Sequence, residues 1–451
     1  MAYSQTKIQF INHASVKISY KNISLLSDPW YFGDAFHKGW NLIVEQEFSE
    51  INNIVKSITH IWVSHEHPDH FSVGFFLKFK DLIQDRNITI LFQETKDKRV
   101  RNFFLNNGFN LIELKNETPF LVLNDFSITC IKDGFYDSAL YIETSDKKIL
   151  NLNDCYVRDK LRADEIYNIT GECDILLTQF SYAAWKGGRM NINWRRLAAK
   201  EKLNDIALQA SMFKPKFIIP FASFIYFSNE FNKYLNDSIN RPKNVSKLLE
   251  NSDISVNVMK PFDYFDEQKV SKNSAAATNY WEENYKQLAK KNYQEYNIID
   301  IAELQSAFSQ YKKRVFISNS RYFIILVRFL SPIKVFKPIK IQLDDLKTTI
   351  LMDLLSSTLK LSDDSPDLIM SSESFYFILT YPFGFDTLTV NGCFEVGNED
   401  GFSKASKSLA IESLNNIGIK FNLSIFLNLK VVFLFIKQLN KVSNKQKLAK
   451  L

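Results

Sequence analysis

The stretch SITHIWVSHEHPDHFS, residues 57–72, constrains this chain more than any other. A hydrophobic run of strand character passes straight into His65, Glu66, His67, Pro68, Asp69 and His70. In extended backbone the side chains alternate with period two, so His65 and His67 point the same way and both reach one cation. Pro68 ends the strand, which frees Asp69 and His70 to turn toward a second cation or toward its water. A lone histidine is usually a surface or core residue, but His-x-His-x-Asp-His directly after a strand is a metal-ligand pattern. Imidazole and carboxylate suit zinc, iron or manganese, and ligand type alone does not choose among them.

Around this segment the pattern is that of a layered α/β domain. The opening run, KIQFINHASVKISYKNISLLSDPW, alternates apolar and polar residues around a YKN turn and predicts a hairpin of half-buried strands. Short β-rich runs follow (ITILFQ, FSITCI, ALYIET, KKILNLND, DILLTQF, KFIIPFA), separated by helical patterns. Alternation of this kind predicts helices packed on a sheet, and the early hairpin makes that sheet mixed. The predicted domain covers residues 1–268 and ends where DEQKVSKNSAAATN reads as a polar linker. A helical linker region, 269–320, follows. A smaller α+β domain, 321–398, is predicted from the strand-like runs YFIILVRFL, FKPIKIQL, SFYFILTY and LTVNGCFEV around the helical pattern DDLKTTILMDLLSSTL.

The last part, 399–451, contains FNLSIFLNLKVVFLFIK and then lysines at 441, 445, 447 and 450. Lys430 interrupts the apolar run, which is short of the roughly 20 residues a spanning helix needs. A helix packed on the protein is expected, with peripheral contact of 421–451 on an anionic membrane as the alternative. Of 451 residues, 45% are hydrophobic and 24% charged, so a largely disordered chain is excluded. The formal charge of +6 is too small to call for nucleic acid, while it suits a small anionic substrate. Cys130, Cys155, Cys173 and Cys393 form no CxxC, and MAYSQTKIQF lacks the basic start and apolar core of a signal peptide. A reducing, cytoplasmic setting is the expectation.

The strand followed by HEHPDH resembles the metallo-β-lactamase fold superfamily. That resemblance implies a four-layer αββα sandwich with metals at the sheet edges, and a bridging carboxylate that falls on Asp154 in KKILNLNDC. On the residues alone, the alternative for Asp154 is to cap the helix that follows. The blocks SDPWYFGDAFHKGW, HEHPDH, ILNLNDC and PFASFIYFSNEFNKY further resemble the CMP-N-acetylneuraminic acid hydroxylases, outside their Rieske domain. This implies an oxygenase-like metal enzyme acting on a nucleotide sugar or related glycan precursor. A Rieske cluster needs Cys-x-His and Cys-x-x-His pairs, and none of the four cysteines has such a partner. No iron–sulfur cluster is therefore expected in this chain, and a separate ferredoxin or Rieske-type donor is.

All six histidines (13, 37, 60, 65, 67 and 70) precede residue 71, whereas the superfamily's two-metal site takes more from later strands. Asp133 or Asp137, in KDGFYDS, is the expected substitute, and Asn229 stands where the hydroxylases offer histidine. Carboxylates replace imidazoles in iron or manganese sites. His13 is read either as lining the pocket or as a core residue, and His37 and His60 as structural. Trp185, Lys186 and Arg189, on a glycine-containing loop after a strand, are expected to touch substrate if the loop is not merely solvated. Arg195 and Arg196 are expected on the exposed face of the next helix. If the site is hydrolytic, Asp69 orients or deprotonates a metal-bound water, with phosphoesters or lactones as substrates. If oxidative, the same ligands hold iron. A third reading keeps the fold for binding only.

Overall fold

The computed structural model describes residues 3–331, 334–423 and 425. It divides into two compact units. The first takes the chain to Gly187, then Asn191–Ser228 and Lys233–Tyr293; the second takes Gly188–Met190, Asn229–Asn232 and the described chain from Gln294 onward.

The first unit holds two large mixed sheets. One runs in the order Tyr3–Asn12, Ser15–Lys21, Ile23–Ser27, His60–Val63, Thr89–Gln93, Asn110–Leu114, antiparallel at first and parallel from Ile23–Ser27 on. The predicted hairpin is thus a three-stranded meander. A second tight turn sits at His13, where φ is 41°. The other sheet runs Ser255–Val256, Phe217–Phe221, Ile175–Gln179, Lys148–Asn153, Asp137–Thr144, Phe126–Asp133, Pro119–Leu123.

Period-two alternation explains the layering. In His60–Val63, Ile61 and Val63 pack with Phe75, Phe76 and Phe104 of flanking helices, while Trp62 enters the core shared with the second sheet. Thr89–Gln93 repeats this, with Ile90 and Phe92 on the helix side and Leu91 between the sheets. The helices Lys160–Thr170 and Ile192–Phe213 bring Ala163, Ile166, Ile206, Ala210 and Phe213 to the second sheet's core. Helix, sheet, sheet and helix follow one another as the metallo-β-lactamase resemblance implies.

The polar stretch expected to be a linker is helical. Val270–Gln287 buries Val270, Ala277, Trp281 and Tyr285 on one face, and Trp281 stacks on Phe224 and donates to the Met259 carbonyl. The boundary expected after residue 268 therefore falls inside the first unit, because one buried stripe outweighs the polarity of the other faces.

The second unit has a five-stranded sheet in the order Lys360–Leu361, Thr348–Met352, Ile339–Leu343, Leu368–Met370, Glu395–Val396. It corrects several predicted elements. YFIILVRFL is the helix Arg321–Leu330, SFYFILTY the helix Ser372–Thr380, and most of DDLKTTILMDLLSSTL is the strand Thr348–Met352 with turns. LTVNGCFEV ends the helix Gly384–Asn391 and supplies only Glu395–Val396 to the sheet. Ser320 and Ser371 cap the first two helices by accepting from the Phe323 and Ser374 N–H groups, which overrides the β preference of their aromatic and β-branched residues. Residues 426–451, expected to carry a helix or membrane contact, lie outside the described residues; among those described, no helix is long and apolar enough to cross a membrane.

Candidate metal centre

Strand ends of both sheets deliver the donors. The strand His60–Val63 stops at Ser64, whose N–H and hydroxyl both donate to Asp28 at 2.8 Å, while Gln93 and Ser138 donate to the Ser64 carbonyl. The loop entrance is thereby pinned before His65 begins. Beyond it, the N–H groups of His70 and Phe71 bond back to the His67 carbonyl, closing a turn that returns His70 toward His65. The two rings lie 4.2 Å apart between centroids. From the second sheet, Lys148–Asn153 ends in a bulge against Ile175–Gln179, and Asn153 adopts φ 50°. A bulge re-aims the residues that follow it, here Asp154 toward His70.

Three overlapping groups of ligand atoms result: His65, His67 and Asp137; His65, His70 and Asp154; His13, Asp69 and His70. His70 Nε2 stands 3.2 Å from Asp69 Oδ2 and 3.5 Å from Asp154 Oδ2, and His13 Nε2 stands 3.3 Å from Asp69 Oδ2. His65 Nε2 is 3.6 Å from Asp137 Oδ1 and 2.9 Å from His67 Nδ1. His65 and His70 each belong to two groups, so the donors form one continuous cluster suited to one or two cations.

The residues present fit a cation on two observations. First, Asp69 Oδ1, His70 Nε2 and His13 Nδ1 are buried without a hydrogen-bond partner. Orphaned buried acceptors of this kind are rare unless something binds them. His70 Nδ1 is already paired to Asp28 Oδ2 at 3.1 Å, which leaves Nε2 as its ligating nitrogen, an orientation that metal-bound histidines commonly share. Second, among the described residues none of Asp28, Asp69, Asp137 and Asp154 pairs with a lysine or arginine. Such a concentration of carboxylates, with Asp28 and Asp69 fully buried and His70 the main group to offset them, suits a cation.

The protonation states reflect this crowding. Burial, aided by the neighbouring histidines, pushes His65 and His67 down to about 4, so both are neutral ligands at ordinary pH. Burial opposes the charged forms of Asp69 and His70, but their mutual attraction outweighs it, holding Asp69 well below and His70 well above the ordinary ranges. Asp137 is raised to about 7 by burial, with Asp154 adding to the effect. A cation here would take the place of the protons that His70 and Asp137 otherwise keep.

His65, His67, Asp69, His70 and Asp154 come together. His13, read as pocket-lining or core, joins them with its own imidazole. Asp137 stands in the cluster, whereas Asp133 takes the Arg162 guanidinium at 2.9 Å and the Tyr156 N–H, so it is satisfied without a metal. Trp185 is buried against Trp194, and Lys186 is half-buried on the same loop. Arg189 and Asn229 lie in the second unit, where Arg189 pairs with Glu395 and the Asn229 side-chain Oδ1 accepts from Phe231 N–H. Arg195 is buried, in contrast to its expected exposure, because its guanidinium pairs with both oxygens of Asp237; Arg196 is exposed. His60 bonds only its neighbour's hydroxyl through Nδ1. Asp28 and Asn153 escaped the sequence reading. The Ser-Asp-Pro turn after a strand was the available signal for Asp28, and the Asn-Asp pair closing ILNLND was that for Asn153.

Fold and donor set together are those that the metallo-β-lactamase resemblance implies, with a candidate centre for one or two metal ions. More particularly, the chain is 26% identical over 278 residues to the cytidine monophosphate-N-acetylneuraminic acid hydroxylase of Mus musculus, covering 56% of this chain and 46% of that one. The chain spans about half the length of the curated relatives it matches. No protein-family model matches it. Among solved structures it is similar to CmlA, a diiron β-hydroxylase from Streptomyces venezuelae, at 11% identity and TM-score 0.42 over 58% of this chain and 54% of that one. A possible metal-dependent hydrolase from Veillonella parvula is similar at 15% identity and TM-score 0.43, over 58% of this chain and 98% of that one.

Proposed function

We propose that this protein is a metal-dependent hydroxylating enzyme that acts on a nucleotide sugar or a related glycan precursor. The observation that carries this reading is the mixed imidazole and carboxylate cluster with orphaned buried atoms on Asp69 and His70. Three aspartates within it tilt the donor set toward iron or manganese over zinc. The likeness to the hydroxylase relatives supports the substrate class. Iron bound here would supply the activation of dioxygen, with electrons from a donor outside these 451 residues.

The chain's own residues have separable tasks. His65, His67 and Asp137 would hold a cation on one side of the cluster, and His13, Asp69 and His70 on the other, with Asp154 grouped with His65 and His70. Asp28 fixes the His70 ring, and Ser64 and Asn153 fix Asp28 in turn. Burial of the histidines keeps bulk water from competing for the ligand positions.

Elemental analysis of protein purified without added metal tests the proposal. Near-stoichiometric iron, lost to less than about a tenth of an equivalent in His65→Ala/His67→Ala, together with reductant-dependent turnover of a nucleotide sugar, is the expected result. Zinc with turnover that needs no reductant would replace it by a hydrolase, and a metal-free wild type by a binding protein.

A further inference from the structure

Beside the donor cluster, still within the first unit, lies a second polar group that the proposed reaction does not use. Gln179 Nε2 donates to Asp154 Oδ1 at 2.8 Å, and Gln179 Oε1 accepts from the Lys202 ammonium. Lys202 sits in the middle of the helix Ile192–Phe213 with only 9% of its surface exposed. Arg158 lies four residues after Asp154, with its guanidinium 3.5 Å from the centre of the exposed Tyr156 ring; the Lys202 ammonium is 5.8 Å from the same ring. Lys186, on the loop after Ile175–Gln179, completes the set.

These cations are only partly compensated: Asp154 and Asp205 favour the Lys202 charge, and Asp205 faces Arg158. Arg158 Nε is 3.2 Å from Asp205 Oδ2, yet it is buried without a hydrogen bond. Among the described residues Lys186 makes no hydrogen bond or ion pair, and only the electrostatic influence of Glu201 favours its charge. Burial lowers both lysines, Lys202 to about 8, and Arg158 depresses each further, against the opposing influence of Asp154 and Asp205 on Lys202. Burying like charges together costs free energy, and with Lys186 and the Arg158 Nε lacking a hydrogen-bond partner an anion would lower that cost.

We infer that Arg158, Lys186 and Lys202 form an anion subsite adjoining Asp154, which takes a phosphate or carboxylate group of the substrate while the neighbouring atoms of that substrate reach the donor cluster. The inference rests on the reading of that cluster as the reactive centre. Arg158 supplies a planar fork of donors, Lys186 a mobile charge at the half-exposed side, and Lys202 a fixed charge linked through Gln179 to Asp154. An anion seated there offsets the cations.

The test is calorimetric titration of the full-length, metal-loaded protein with cytidine monophosphate, with N-acetylneuraminate and with uncharged cytidine. The first two probes distinguish phosphate from carboxylate as the recognised group. At least one of them should bind, cytidine should not bind comparably, and affinity should fall about tenfold or more in Lys186→Gln and Arg158→Gln at unchanged metal content. Lys186→Arg should restore most of the loss, which a merely structural role would not predict. Failure of both anions to bind, or equal affinity in wild type and Lys186→Gln, overturns the subsite. Loss of anion affinity in a protein that shows no reductant-dependent turnover would sink the proposed reaction and leave the subsite standing. Turnover with KM unaltered in Lys186→Gln would do the reverse.

Discussion

Both units of this chain pair buried charges, as Arg195 pairs with Asp237 in the first, but the first also holds clusters of another kind. In the second unit, Arg314 donates to both oxygens of Glu412 at 2.6 and 3.0 Å and to the Leu379 carbonyl at 2.9 Å. Arg328 pairs with Asp353, and Lys404 with Asp367 at 2.7 Å. In the first unit, imidazoles and carboxylates face one another around atoms that lack hydrogen-bond partners, and beyond Asp154 cations gather with the Arg158 Nε likewise unpartnered. Stability accounts for charges of the first kind, because each meets its complement. It gives no account of the second kind, which points to a ligand that completes the set.

The largest expected effect tests the satisfied side of that contrast. Glu412→Ala leaves Arg314 with one carbonyl partner and an uncompensated charge, and breaking a buried pair on one side costs about 3–5 kcal/mol. Denaturant unfolding should show that loss, while the metal content of the folded protein stays at the wild-type value. A loss below about 1 kcal/mol would mean that the second unit's pairs are no better satisfied than surface ones, and the contrast would fail.

A smaller effect tests the unsatisfied side. Burial raises the Asp137 carboxyl from 3.8 to about 7. Between those values the folded state holds this proton more tightly than the unfolded state, so Asp137 makes metal-free protein less stable as pH rises toward 7. Above about 7 the penalty is constant. In the presence of a chelator, Asp137→Asn should therefore gain stability relative to wild type as pH is raised from about 4 to about 7, by the roughly 4 kcal/mol that such a rise represents, reduced to about 2 kcal/mol by solvent at this partly exposed carboxyl, and then level off. Equilibrium unfolding of the two proteins across that range checks it. A pH-independent difference would show that Asp137 is solvated rather than strained.

The same contrast decides what the sequence makes legible. A ligand cluster announces itself locally: strand, HEHPDH and the downstream NLND lie at short spacings, and the period-two rule places His65 and His67 together. Asp154 follows from the family resemblance. Asp28 and the choice of Asp137 over Asp133 depend on which strand end meets which across two sheets, a long-range fact that no local spacing holds. His13 entered the cluster only because a tight turn at φ 41° aims it there. The layered α/β fold was legible for the same local reason, since its strands alternate cleanly between a helix side and a sheet side. The second unit was misread at YFIILVRFL and SFYFILTY, where aromatic and β-branched residues argue for strand and a single preceding serine decides for helix.

That serine is the place where the smallest effect sharpens the argument. Ser371 is 1% exposed, and its hydroxyl accepts from the Ser374 N–H at 3.0 Å, so Ser371→Ala leaves a buried donor without a partner. The loss should be about 1 kcal/mol, read as a shift in the unfolding midpoint with metal content unchanged. Ser320 accepts at 3.3 Å from a less buried position, so Ser320→Ala should cost less than Ser371→Ala. If neither substitution moves the midpoint, the caps do not outweigh strand preference in these two segments. Their helical form would then be imposed by packing in the second unit, which no reading of the local sequence could have anticipated.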